Sequence, residues 1–132
     1  MPQLKYTPTK GLIQQSGSGS ANMFHVLAPS DTASVTVAGG TVAIPVTHAV
    51  VSKTTGGVES LTLANGSPGQ VLQIILTTDG GDGTLAPTTK TGFATIVFAD
   101  AGDRATLYYV NDTVGWIILG LSGVAAPPVT TV

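Results

Sequence analysis

Short runs of alternating apolar and polar residues, separated by Gly, Asp, Asn and Pro, fill the chain from residue 60 to residue 120. Such alternation is typical of half-buried β-strands, because successive side chains of a strand point to opposite faces. The runs recur about every 8–12 residues, a spacing typical of β-sandwiches and barrels. No helical periodicity accompanies them, so the chain is predicted to fold entirely through strand pairing.

The predicted strands are enough for two packed sheets, and eight strands in two sheets is the jelly-roll number. We therefore predict an all-β, jelly-roll-like antiparallel sandwich. Pro45 lies inside the longest run, which places that strand at a sheet edge or bulge, because proline has no amide proton to donate. No internal repeat suggests a solenoid or propeller. Strands are expected at 24–28, 33–37, 41–51, 58–63, 70–78, 84–89, 93–99, 104–110 and 114–121.

Three regions are expected: an extended N-terminal arm with a Gly/Ser linker (1–22), the sandwich body (23–121) and an extended C-terminal tail (122–132). The arm carries more apolar residues than a free tail would need. It is interpreted as docking on its own body or on a neighbour, with a loose terminus as the alternative. The anchoring residues would be Leu4, Tyr6, Leu12 and Ile13.

Charge is scarce, since only 9% of the residues are Asp, Glu, Lys or Arg, against about 25% in an ordinary soluble domain. Either the surface is neutral and rich in Thr and Ser, or other subunits cover much of it. The five Lys and Arg residues form no basic patch, so nucleic acid is not expected as a partner. No window reaches the about 18–20 apolar residues of a membrane span, and no membrane partner is expected.

Residues suited to catalysis are few and scattered. His25 and His48 are the only possible imidazole bases, and Glu59 is the only Glu and is predicted to face outward. A nucleophilic triad or a glycosidase carboxylate pair is therefore disfavoured. The Asp-rich run 79–83 could offer oxygens to Ca²⁺, but a plain hairpin turn explains it better. Neither an enzyme, a metal nor a cofactor is predicted.

The later strands carry apolar residues on both faces, whereas an antiparallel sheet in a monomer usually has one wet face. A subunit interface, the N-terminal arm or both would cover the second face. Burial is also favoured over a sugar-binding groove for the aromatic residues near 108–116. The candidates for a subunit interface are His48, Tyr108, Trp116 and Ile118.

The segments SPGQVLQIILTTDGGDG and FADAGDRATLYYVNDTVGWIILG carry a resemblance that extends over residues 61–120. This half of the chain resembles the core of small virion proteins of tailed phages, the head decoration (cement) and head-fibre proteins. The resemblance implies a homotrimer on the outer capsid surface of the virion, with the major capsid protein as partner and residues 1–22 as anchor. The alternative is a trimeric tail-fibre or head-fibre module that binds a host receptor or glycan. The resemblance supplies no catalytic or ligand-binding residue.

Overall fold

The computed structural model describes residues 3–7, 11–16, 33–123 and 129–131, with side chains for 33–123. These residues form strands and no helix, which confirms the all-β prediction. The predicted strand at 24–28, with His25, lies outside the described residues. The strands are β1 (Gln3–Thr7), β2 (Gly11–Ser16), β3 (Ser34–Val37), β4 (Ala43–Ile44), β5 (Val50–Thr54), β6 (Glu59–Leu63), β7 (Val71–Thr78), β8 (Gly83–Pro87), β9 (Thr95–Phe98), β10 (Arg104–Tyr109), β11 (Trp116–Ser122) and β12 (Val129–Thr131).

The region predicted as an extended arm contains a two-stranded antiparallel hairpin, β1 with β2. Its register places Tyr6 opposite Leu12 and Lys5 opposite Ile13. The arm is therefore folded back on itself over these strands. The side chains of Leu4, Tyr6, Leu12 and Ile13 lie outside the described residues, so their anchoring role stays a prediction.

From β3 to β8 the chain winds back and forth between two sheets, because each strand of one sheet is followed by a strand of the other. Each full turn of this winding is called a coil here, and there are three coils: β3 with β4, β5 with β6, and β7 with β8. The first sheet has the order β11-β10-β7-β5-β3, and the second has the order β12-β9-β8-β6-β4. Neighbouring strands in the three coils are parallel, and the crossover that parallel pairing requires is made through the opposite sheet.

The winding reverses after β8. Strand β9 pairs antiparallel with β8, β10 pairs antiparallel with β7, and β11 and β12 continue the two sheets with antiparallel pairs. The sheets are therefore mixed, and the prediction of an antiparallel sandwich is wrong for the first three coils. Residues 122–132, predicted as a tail, include β12, which pairs Val129 with Val97 of β9.

Unequal coil lengths explain why the sequence shows no repeat. Ser34 pairs with Val50 and Val50 with Gln73, which are steps of 16 and 23 residues in the first sheet. Ala43 pairs with Thr62 and Glu59 with Gly83, which are steps of 19 and 24 residues in the second. A coil of variable length stacks its strands without giving a sequence period.

One hydrophobic core lies between the two sheets. Strands β6 and β7 alternate as the sequence predicts: Leu61 and Leu63 of β6 are buried, and Leu72, Ile74 and Leu76 form the buried face of β7. Strand β11 departs from simple alternation: Ile118 lies opposite Leu107 and Gly120 opposite Thr106, so Leu119 is an extra, bulged residue. The bulge lets both Ile118 and Leu121 pack against the core.

The predicted strand 41–51 is broken. Strand β4 covers only Ala43–Ile44 and ends before Pro45, while β5 begins at Val50 and runs on to Thr54. The proline therefore ends an edge strand, in keeping with its lack of an amide proton. The predicted strand 41–51 also ends too early, because β5 continues through Lys53 to Thr54.

We expect Val51→Ala to destabilise the protein by about 2 kcal/mol. The substitution removes two methyl groups from a fully buried side chain and leaves a cavity in the core. The same substitution at Val58, which is 85% exposed, should change stability by less than about 0.5 kcal/mol. Urea unfolding measures both variants. Equal losses would contradict the assignment of the core.

Candidate functional site

A lysine and a glutamate of the second coil, β5 with β6, are buried between the two sheets. Lys53 of β5 and Glu59 of β6 are 1% and 8% exposed, and Lys53 Nζ lies 2.7 Å from Glu59 Oε2. The prediction that Glu59 faces outward is wrong. The strand phase carried the signal that sequence reasoning missed: Lys53 shares a face with buried Val51, and Glu59 shares a face with buried Leu61.

The ion pair holds two turns together. Lys53 Nζ donates hydrogen bonds to the carbonyl oxygens of Ala38 at 2.9 Å and Thr41 at 2.8 Å. Glu59 Oε1 accepts from the amides of Gly40 and Gly56, both at 2.8 Å. With Glu59 as the third acceptor, every proton of the ammonium group has a partner. The pair therefore fastens the β3–β4 turn to the β5–β6 turn.

The surroundings of Glu59 stabilise its charged form. The amide hydrogen bond from Gly56, the Lys53 ammonium and the amide hydrogen bond from Gly40 together lower the pKa of Glu59 to about 2. A general acid or base works best with a pKa near the working pH, and this carboxylate is far from that range. Its hydrogen bonds to turn backbone give it a structural role.

Two further buried polar side chains also serve turns. Gln70 Oε1 accepts from the amide of Ser67 at 2.9 Å, and Gln70 Nε2 donates to the Val46 carbonyl at 2.6 Å. Asp103 Oδ2 accepts from the amide of Ala99 at 2.9 Å, at the turn between β9 and β10. Asp103 Oδ1 has no hydrogen-bond partner among the described residues.

The aromatic residues of the last strands lie mainly inside the protein. Tyr109 and Trp116 are fully buried and meet edge to face, with ring centroids 5.1 Å apart at 66°. Trp116 Nε1 donates to the Ala64 carbonyl at 2.9 Å, and the Tyr109 hydroxyl donates to Asp112. Burial, and then the hydrogen bond to Asp112, raise the pKa of Tyr109 to about 12. Neither ring is available to stack on a sugar.

The structure separates the four residues predicted for a subunit interface. Trp116 lies in the interior of its own chain, so it has no surface with which to contact a second subunit. Ile118 points inward and packs against the core. His48 is half-buried in the connection before β5, where its Nδ1 lies 3.0 Å from Thr47 Oγ1. Only Tyr108 lies on an outer sheet face, half-buried between Val71 and Ile117.

The outer face of the first sheet is almost free of charge. Along strands β3 to β11 the charged residues are Lys53, Glu59 and Arg104, and the first two point inward. Arg104 is therefore the single charged side chain on the outer faces of these strands. Beside it a shallow groove of about 190 Å³ is lined by Gln73, Arg104, Thr106, Gly120, Leu121 and Ser122.

The Asp-rich run 79–83 forms an ordinary turn. Asp79 Oδ1 accepts a hydrogen bond from the amide of Gly81 at 2.8 Å, as Asp side chains commonly do in turns. Within the described residues, no group of three or more acidic or imidazole side chains could hold a metal ion. These residues also contain no helix long and apolar enough to cross a membrane.

No family model matches the chain, and a search of curated proteins finds no match either.

We expect Lys53→Met to lower stability by about 3–5 kcal/mol, because it leaves the Glu59 carboxylate buried without its counter-charge. The double variant Lys53→Met/Glu59→Leu should recover part of the loss, since no buried charge remains. Chemical denaturation of both variants tests this. A double variant less stable than Lys53→Met would show that the turn contacts of Glu59 matter more than its pairing.

The lowered pKa of Glu59 predicts acid sensitivity. A carboxyl whose pKa falls from 4.5 to about 2 on folding contributes stability above pH 4.5. That contribution is lost as the pH falls towards 2, because the unfolded chain then binds more protons than the folded one. We expect the melting temperature of the parent to drop more steeply across this window than that of Glu59→Gln. Parallel curves would contradict the assignment.

Proposed function

We propose that this chain is a structural protein of a tailed-phage virion, which binds the outer surface of the head as a homotrimer and stabilises the shell. Its partners are other copies of itself and the major capsid protein. The resemblance across residues 61–120 supports the phage assignment, and the nature of the protein surface supports the assembly role.

The observation that carries the proposal is the uncharged outer faces of the sheets. Ordinary soluble domains contain about 25% charged residues, whereas Arg104 is the single charged side chain on the outer faces of β3 to β11. Depletion of charge, with aromatic residues present, is the compositional mark of an interface core. The half-buried row of Val71, Tyr108 and Ile117 on the first sheet fits this description.

A rigid body suits a cement role. The buried polar groups tie turns to strands, and the two sheets share one core. A body fixed in this way does not lose much conformational freedom when it binds, and the ordering of loose segments is a large cost of association. Apolar area that it buries, at about 25 cal/mol per Å², is then available to resist expansion of the shell.

The N-terminal region supplies a second attachment in this proposal. The hairpin of β1 and β2 carries the predicted anchors Leu4, Tyr6, Leu12 and Ile13 at its strand positions. A separate two-stranded unit is marginally stable alone, so contact with a partner surface would stabilise it. The alternative of a glycan-binding fibre module is less well supported, because Tyr109 and Trp116 lie inside the core.

We expect the full-length protein, purified at micromolar concentration, to sediment as a trimer of the 13.2 kDa chain. It should also co-sediment with phage heads that lack decoration and raise the temperature at which those heads open. Heads that already carry a full complement of the protein are the control. A monomer at every concentration, or recovery in the supernatant with both kinds of head, would refute the proposal.

A further inference from the structure

Arg104 is an exposed cation with unused hydrogen-bonding capacity. A guanidinium has five N–H donors, and here Nη1 donates to the Gly102 carbonyl at 3.2 Å. Among the described residues Arg104 forms no ion pair, although Asp103 precedes it directly. It lies at the start of β10, on the outer face of the first sheet, opposite Ile75 of β7.

The groove beside Arg104 is open because of the bulge in β11. Gly120 lies opposite Thr106, and a Cβ added there would meet nothing within 4 Å. Gln73 and Ser122 line the same groove. A guanidinium flanked by hydroxyl and amide groups suits a carboxylate, which Arg binds through two parallel hydrogen bonds.

The chain itself offers such a carboxylate. Of the exposed Asp side chains, Asp79 accepts from the Gly81 amide and Asp112 accepts from the Tyr109 hydroxyl. Asp82 is exposed too, and its carboxylate has no hydrogen bond or ion pair in the described part of the chain. Among the described residues, Arg104 is thus an exposed cation without an ion pair, and Asp82 is an exposed Asp whose carboxylate has no hydrogen-bond partner.

Their placement suggests contact between copies. Arg104 lies opposite Ile75, near the end of β7 in the first sheet, while Asp82 directly precedes β8 in the second sheet. Both charges lie at the end of the sandwich where β7 crosses to β8, but they belong to opposite sheets. A contact that uses different patches on its two partners is heterologous, and it closes into a ring when the rotation allows.

We propose that the outer face of the first sheet binds a second copy of the chain, with Arg104 in its groove bound to Asp82 of the neighbouring copy. The proposal rests on the proposed homotrimer and gives it a specific contact. The apolar row of Val71, Tyr108 and Ile117 provides the area of the contact, and the ion pair fixes its orientation. Exclusion of water from this uncharged face strengthens the attraction between the two charges, while the cost of desolvation disfavours arrangements that leave either charge unpaired.

A charge-exchange series in the full-length protein tests the contact by sedimentation at physiological salt. Arg104→Glu and Asp82→Arg should each raise the dissociation constant of the assembly at least tenfold. The double variant Arg104→Glu/Asp82→Arg should return it to within about threefold of the parent, because the pair is restored with its charges exchanged. Lys90→Glu is the matched control: Lys90 donates to the Pro87 carbonyl in the β8–β9 connection and should have no effect. Melting curves establish that every variant is folded.

The outcomes separate this contact from the proposed function. A trimer unchanged by Arg104→Glu would overturn the contact and leave the trimer standing. Loss of head binding by Arg104→Glu with the trimer intact would assign the face to the capsid protein instead, which also overturns it. Failure of the double variant to recover would show that Asp82 is not the partner. A parent that is monomeric throughout would refute both proposals.

Discussion

The ion pair between Lys53 and Glu59 is the constraint on which the first coils depend. Neither charge is tolerated in the core without the other, because an unpaired buried charge is strongly destabilising. Their hydrogen bonds reach the two turns at one end of the sandwich. Those turns approach closely, since a Cβ on Gly39 would lie 2.9 Å from the amide nitrogen of Gly56. The glycine at this position lets the turns come within reach of the buried charges.

A buried pair of this kind contributes more to specificity than to net stability, because desolvation of both ions offsets most of their attraction. In this fold the specificity concerns register. A shift of one residue in β5 would turn Lys53 to the outer face and bring Ser52 into the core. It would also leave Glu59 and the carbonyl oxygens of Ala38 and Thr41 without their donor. The pair thus penalises slipped pairings of β3, β5 and β6, which their short apolar patterns would otherwise discriminate poorly.

The sequence predicts the strands far better than their partners. Alternation in β7 places Leu72, Ile74 and Leu76 on one face, and the structure shows that this face is buried. Alternation is a local signal, however, and it is the same in parallel and antiparallel sheets. The parallel pairing of strands in the three coils was therefore not predictable from it. Glu59 was predicted to face outward, although the phase that it shares with Leu61 points inward. Lys53 fell outside the predicted strand 41–51, so its burial was not predicted. The bulge at Leu119 shifted the phase of β11 in a way that a period-two pattern cannot show.

The use of charge links the interior of the protein to its surface. Lys53, Glu59 and Asp103 are buried and bound to turn backbone, while other Asp side chains lie in loops. Strands therefore present hydroxyl, methyl and aromatic groups outward, with almost no charge to keep another apolar surface away. On such a face one arginine would have a large effect on the choice of the proposed partner. A surface that buried Arg104 without a carboxylate would leave its charge unpaired. That desolvation penalty would disfavour wrong partners, just as the proposed ion pair would favour the right one.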